Sequence, residues 1–256
     1  MTPQPFHSSD RVRATSLAGA SPRLVVSFTG IGKADKQEQT EEFVATSSMG
    51  GENHVLFVAD TLRSWYNEPG MYEEIVGLVE TYKRAHRIEE VVTFGNSMGG
   101  YGAMIFARDL GATSCLALSA QYSADPDVVP EEERWMEYRE RIQEFTRPPM
   151  EETLSEDCTY FVVHGGSRLE QPHWSRFPQA PNVQHYLADR VGHALGKKMK
   201  QAGKIRAVTK YAILARPVAF RRTLNEVFER LTQVKPEAAP RPAPGGFERL
   251  ERVSAG

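Results

Sequence analysis

The segment Gly95-Asn96-Ser97-Met98-Gly99-Gly100 follows directly on the apolar run Val91-Val92-Thr93-Phe94, and it constrains the fold more than any other stretch of the chain. A strand ending in Gly-x-Ser-x-Gly is the sequence form of a sharp strand-to-helix turn that presents a serine hydroxyl at its tip. Side chains two residues to either side of that serine would collide across the turn, and Gly95 and Gly99 stand at those two places. The residues that follow, Tyr101-Gly102-Ala103-Met104-Ile105-Phe106-Ala107, read as a helix with a first turn small enough to lie close on a sheet. Ser97 is therefore the candidate nucleophile, and the backbone N–H of Met98 points toward a developing oxyanion. The competing reading is a glycine-rich turn with an incidental serine, and the flanking strand and helix weigh against it.

Five further apolar runs, at residues 24–28, 54–59, 115–119, 160–163 and 183–187, join the one before the turn. They are short and rich in Val, Leu and Phe, and several lack strict alternation, which is the pattern of strands covered on both faces. Helices are expected between them at 36–47, 71–85 and 101–110, and after the last strand at 193–200. This alternation predicts an α/β fold: a three-layer α/β/α sandwich on a mostly parallel sheet of about six to eight strands, with active groups at the strands' carboxyl ends.

Residues 122–156 break the rhythm with an acidic run, Glu131-Glu132-Glu133, and with Trp135, Met136, Tyr138, Ile142 and Phe145 at helical spacing. Such an insertion forms either a helical cap over the site, its aromatic and arginine side chains facing substrate, or a surface excursion whose aromatics pack on the body. Another helical region is expected over 204–231, broken at Pro217. Residues 1–235 are thus expected to form one domain with that insertion, and 236–256, rich in Pro, Ala and Gly, a disordered tail.

A chain of 256 residues, 40% of them hydrophobic, can bury one sizeable core. Its formal charge of -2, with basic residues interspersed among acidic ones, gives no footprint for nucleic acid or an anionic membrane. No apolar run approaches the ~20 residues needed to span a bilayer, and residues 1–10 are polar and proline-bearing, so a cytoplasmic protein is expected. Cys115 opens one apolar run and Cys158 precedes another, which suits small buried side chains better than a disulfide or a metal site.

A serine hydroxyl needs a general base. His193, in Val191-Gly192-His193-Ala194-Leu195, follows the last strand and opens a helix, and Gly192 lets the loop turn inward. His7, His54 and His86 precede the serine, while His164, His173 and His185 lie at, after and inside later strands. In Phe28-Thr29-Gly30-Ile31-Gly32-Lys33 the glycines let the backbone approach a developing charge, and the N–H of Ile31, with Gly30 next, is the expected second oxyanion donor. Neither the Lys-Ser/Thr ending of a phosphate-binding loop nor the third glycine of a dinucleotide fingerprint is present there. At 60–67, either Trp65 and Tyr66 wall a pocket and Arg63 meets an anionic group, or the side chains simply pack the loop, and none of them is assigned a role.

The turn at 95–100, the loop at 28–32 and the late Gly192-His193 together resemble the α/β-hydrolase superfamily, over about residues 24–200. The resemblance implies about eight strands in the complete fold, so a first antiparallel hairpin is either absent or hidden in 11–17. It also implies the chain order serine, acid, histidine, with the acid in the loop after the strand at 160–163. Glu170 is the carboxylate that loop offers; Asp125 and Asp127, after the preceding strand, are held in reserve, and Asp189 is assigned to the hydrogen bonding of its own loop. Arg168 and Arg176 flank that acid and receive no role.

The activity implied is a serine hydrolase acting on a small-molecule acyl ester or thioester through an acyl-enzyme, with no cofactor and no metal. Transfer of the acyl group to a sugar or other hydroxyl acceptor is the alternative, and a non-catalytic hydrolase-like binding protein is the second.

Overall fold

The structure is a computed structural model that describes residues 2–32 and 38–235. Its nine strands are β1 (Gln4–Ser8), β2 (Val12–Leu17), β3 (Arg23–Phe28), β4 (His54–Asp60), β5 (Glu90–Asn96), β6 (Ala112–Leu118), β7 (Thr159–Gly165), β8 (Val183–Ala188) and β9 (Leu231–Val234). They form one sheet in the order β1-β2-β4-β3-β5-β6-β7-β8-β9. The six strands from β4 to β8 in that order pair in parallel, while β1, β2 and β9 join by antiparallel ladders.

The apolar runs lack alternation because the sheet is covered on both sides. Leu24, Val26 and Phe28 of β3, with Leu56 and Val58 of β4, enter one core, and Val25, Val55 and Phe57 enter the other. The same period of two divides Tyr160 and Val162 from Phe161 and Val163 in β7. The first core is roofed by α2 (Met71–His86) and α3 (Met98–Ala107), the second by α6 (Leu195–Gln201), α7 (Ile205–Ile213) and α8 (Pro217–Asn225). Three one-turn helices complete the set: α1 (Val44–Ser47), α4 (Met136–Arg139) and α5 (Gln171–Trp174). This is the expected three-layer α/β/α sandwich, with one strand more than the upper expectation.

The differences have local causes. β2 occupies the stretch suspected of hiding a hairpin strand, and β1 and β9 are edge strands whose mixed polarity carries no run to detect. The helix expected at 36–47 is reduced, within the described residues, to α1, because residues 38–43 use their side chains on the body instead. Gln39 Nε2 donates to Asp60 O at 2.6 Å, Glu41 accepts from Arg13 at 3.0 Å, and Phe43 turns left-handed at φ 58. Lys36 and residue 37 of that expectation, Lys33 and the tail at 236–256 lie outside the described residues.

Between β6 and β7 the helical spacing of Trp135 to Phe145 yields only α4. Trp135 is left-handed at φ 59, and buried Arg139 spends its guanidinium on the carbonyls of Ala124, Val129 and Glu132. Trp135, Tyr138, Ile142 and Phe145 nevertheless pack against the first core. The region at 204–231 splits into α7 and α8 at a left-handed Ala215, with Pro217 opening α8, and ends as β9.

Helix α3 starts at Met98, three residues earlier than expected, and lies close to the sheet. A Cβ on Gly95 would fall 1.9 Å from Gly99 O, and one on Gly99 would fall 2.2 Å from Phe28 O. Gly77, by contrast, is exposed in the middle of α2 with nothing within 4 Å. Gly99→Ala is therefore expected to destabilise the protein by about 1–3 kcal/mol or more, the usual range for overpacking. Gly77→Ala is expected to stabilise it by roughly 0.5–1 kcal/mol through helix propensity. Thermal or urea unfolding of the two variants checks both signs.

Candidate active site

Ser97 stands between β5 and α3 with φ 59 and ψ -127, a conformation that a non-glycine residue rarely adopts. Strain of this kind costs about 1–3 kcal/mol and persists only where the surroundings over-determine it. Here the Ser97 N–H donates to Leu118 O at 2.8 Å, Tyr101 N–H donates back to Ser97 O at 3.1 Å, and the glycine contacts close the turn. The result is a serine only 6% exposed, at the carboxyl end of the central strand.

The loop from β8 to α6 brings His193 to this serine. It can do so because Gly165, the last residue of β7, has no side chain: a Cβ there would lie 2.2 Å from Val191 O. Ser119 Oγ holds the loop further by donating to His193 O at 3.1 Å. His193 Nε2 then lies 2.8 Å from Ser97 Oγ, and its Nδ1 lies 3.1 Å from Glu170 Oε2. A neutral imidazole carrying its proton on Nδ1 satisfies both contacts, donating to the carboxylate and accepting from the serine hydroxyl.

Glu170, immediately before α5, is 1% exposed. Burial alone would push its carboxyl upward, but the hydrogen bond and charge of His193, together with Arg134, bring it down to about 2. Ser97, His193 and Glu170, proposed from sequence, thus stand in one hydrogen-bonded chain. The reserve acids are not joined to it, Asp125 Oδ1 accepting the Asp127 N–H at 2.8 Å within its own turn, and Asp189, assigned to its own loop, lies 3.8 Å from Arg190 and 3.9 Å from Arg230. The other histidines have partners of their own, His7 on Glu74, His54 on Tyr82, and His173 on Glu132.

Two contacts were not read from the sequence. Gln121, three residues beyond β6, donates from Nε2 to Ser97 Oγ at 3.2 Å and is held by the Trp65 indole N–H, which donates to Oε1 at 3.2 Å. Its only signal was its place at the carboxyl edge of the strand beside the turn. The loop at 60–67 supplies Trp65 because buried Asp60 accepts the N–H groups of Leu62, Ser64 and Tyr66. The second contact is Arg134, which reaches Glu170 Oε1 at 2.5 Å, while Arg176 instead binds Glu131 at 2.9 Å. Trp135, next to it, covers His193 with ring centroids 5.2 Å apart.

The N–H groups of Met98 and Ile31 have no acceptor among the described residues, and Arg63 Nε fixes the loop by donating to Ile31 O at 2.9 Å. The Glu42 carboxyl lies beside Gly30, and its Oε2 is buried without a hydrogen-bond partner. Burial pushes that carboxyl upward against the pull of Gly30, His193 and Lys200.

Cys115 and Cys158 are free and buried, and burial pushes both thiols up. Among the described residues, no group of three or more His, Cys, Asp or Glu is arranged to hold a metal ion, and no helix is long and apolar enough to cross a membrane.

Under the site runs a chain of neutral histidines. Gln179 Nε2 donates to His185 Nδ1, His185 Nε2 to His164 Nδ1, and His164 Nε2 to Ala120 O, at 2.9, 2.9 and 2.8 Å. Burial lowers both rings, His164 to about 4. The carbonyl that receives this chain belongs to the residue before Gln121.

No family model matches the sequence, and no curated protein matches it. Solved structures do match by shape. A structure described as the capsule O-acetyltransferase of Neisseria meningitidis serogroup A superposes with a TM-score of 0.54 at 10% identity, covering 86% of this chain and 93% of that one. Est1E from Butyrivibrio proteoclasticus gives 0.53 at 13% identity over 88% and 98%. The Glycosylation Associate Protein (Gap123) complex from Streptococcus agalactiae gives 0.55 at 14% identity over 87% of this chain and 46% of that one. The chain has the α/β-hydrolase fold.

The histidine chain generates a pH dependence. Folded His164 titrates near 4 rather than at 6.5, so between those values the unfolded chain binds more protons, and stability falls as pH falls. Urea midpoints at pH 7, 6 and 5 are expected to decrease in that order. His164→Gln is expected to flatten the series, and an unchanged slope in that folded variant would mean that His164 does not generate it.

Proposed function

We propose that this protein is a serine hydrolase that cleaves an acyl ester or thioester through an acyl-enzyme. The observation that carries the reading is the continuous contact from Ser97 Oγ to His193 Nε2 at 2.8 Å and from His193 Nδ1 to Glu170 at 3.1 Å. His193 takes the proton of Ser97 as Oγ bonds to the acyl carbon. The tetrahedral oxyanion is held by the N–H groups of Met98 and Ile31. Collapse breaks the bond to the leaving group, which receives the proton from His193 and departs, leaving the acyl group on Ser97. A water then gives a proton to His193 and attacks the same carbon, and Ser97 recovers its proton as the acid leaves. Glu170 holds the tautomer and stabilises the imidazolium, and Gln121, donating to Oγ, orients the hydroxyl and stabilises its charged form.

A second reading rests on the enclosure of the site. Ser97 is buried and Trp135 lies against His193, a setting in which a bound hydroxyl acceptor can replace water in the second half-reaction. The same fold occurs in a structure described as a capsule O-acetyltransferase, so acyl transfer to a hydroxyl is within its range.

A fluorophosphonate probe is expected to label the wild type and not Ser97→Ala; an unlabelled wild type would favour a binding protein. Glu170→Gln is expected to lower turnover of an activated ester on the order of 10⁴-fold, as loss of a triad acid does elsewhere. If activity survives that change while Asp125→Asn or Asp127→Asn abolishes it, Glu170 is not the acid. Product analysis with and without a polyol acceptor separates hydrolysis from transfer.

A further inference from the structure

A glutamate serving as the acid has one more rotatable bond than an aspartate, so its carboxylate needs a second anchor to stay on the imidazole. Buried as it is, it also needs a donor for each oxygen. Oε2 has His193, and Oε1 has Arg134 Nη1 at 2.5 Å. Arg134 is itself tied down: its Nη2 donates to Glu132 Oε2 at 2.5 Å and to Leu169 O at 3.1 Å, and its Nε donates to Glu132 Oε1 at 2.9 Å. Glu132 accepts from His173 Nε2 at 2.9 Å, and His173 Nδ1 accepts the N–H of Tyr122 at 3.0 Å. Tyr122 adjoins Gln121, which returns to Ser97 Oγ. The hydrogen bonds, joined by the backbone between Tyr122 and Gln121, therefore close a circuit that leaves Ser97 through His193 and comes back to it through Gln121.

The charges alternate along this circuit, with Glu170 and Glu132 negative on either side of one guanidinium. Counting those three groups, the set carries one net negative charge, which an imidazolium forming at His193 neutralises. Burial opposes ionisation of Glu132, yet His173 and Arg134 hold it at about 2. The dipeptide Arg134-Trp135 also reaches the base, since the guanidinium stacks on Trp135 at 4.5 Å and that indole lies against His193. Arg134 and Trp135 both belong to the segment between β6 and β7, far in sequence from Glu170 and His193.

We propose that Arg134 is a positioning residue that fixes the Glu170 carboxylate against His193, so that the segment between β6 and β7 must be docked for the acid to act. This inference deepens the hydrolase reading and rests on it for its kinetic consequence. Undocking would take away the donor to Oε1, its Glu132 brace and the Trp135 cover together. Glu170 would then be free to swing off Nδ1.

The test is a double-mutant cycle of Arg134→Gln and Glu170→Gln, read as the rate constant of phosphonate labelling at Ser97, with unfolding curves as the folding control. Arg134→Gln alone is expected to slow labelling at least about tenfold, but less than twofold further once Glu170 is already glutamine, because both changes break the same link. Equal losses in the two backgrounds would overturn the proposal. Arg134→Lys, which keeps the charge and loses the fork, is expected to fall between wild type and Arg134→Gln and serves if the glutamine variant does not fold.

A second readout needs no activity: the downfield proton NMR resonance of His193 Nδ1–H, assigned by its loss in His193→Gln. It is expected in the wild type and lost in folded Arg134→Gln, or broadened in Arg134→Lys. Its persistence unchanged in either variant would refute the positioning role even in a protein that no probe labels. Failure of labelling with the resonance behaving as expected would instead count against the hydrolase reading alone.

Discussion

The close approach of helix α3 to the carboxyl ends of β3 and β5 is the constraint on which the rest of the structure depends. It exists because Gly95 and Gly99 leave no Cβ between the helix start and the strands. The approach holds Ser97 in its left-handed turn, and the turn sets the direction of Met98 N–H and of the serine hydroxyl. Gly165 performs the same service at the end of β7, two strands from β5, admitting the loop that carries His193. Three missing side chains thus decide where two functional ones can meet.

Most of the architecture was legible because the sheet is buried on both faces. Runs such as 24–28 and 160–163 send alternate residues into two separate cores, and burial of that kind leaves an unmistakable apolar signature. The elements that escaped are those whose stability comes from elsewhere. β1 and β9 lie at the sheet edges, and before Val44 Glu41 is held by Arg13 and Gln39 by the Asp60 carbonyl rather than by helical periodicity. Trp135 to Phe145 has the spacing of a helix, but its apolar side chains reach the core from a chain that turns sharply at Trp135.

The candidate site divides along the same line. Ser97, His193 and Glu170 could be proposed because each follows a recognisable strand in a fixed order along the chain. Gln121 and Arg134 could not, because nothing local marks them: a glutamine after Ala120 and an arginine after three glutamates acquire meaning only from what lies across the site. Glu42 is the opposite kind of surprise. It sets a buried carboxyl oxygen without a hydrogen-bond partner beside Gly30, and nothing in the local sequence announces it.

The most direct test of the account is a crystal structure of the protein after reaction with a small phosphonate. The account predicts a single adduct on Ser97 Oγ, with a phosphonyl oxygen about 2.7–3.1 Å from the N–H groups of both Met98 and Ile31 and with His193 still seated on Glu170. An adduct on another residue, or one on Ser97 whose oxygen turns away from both amides, would contradict it.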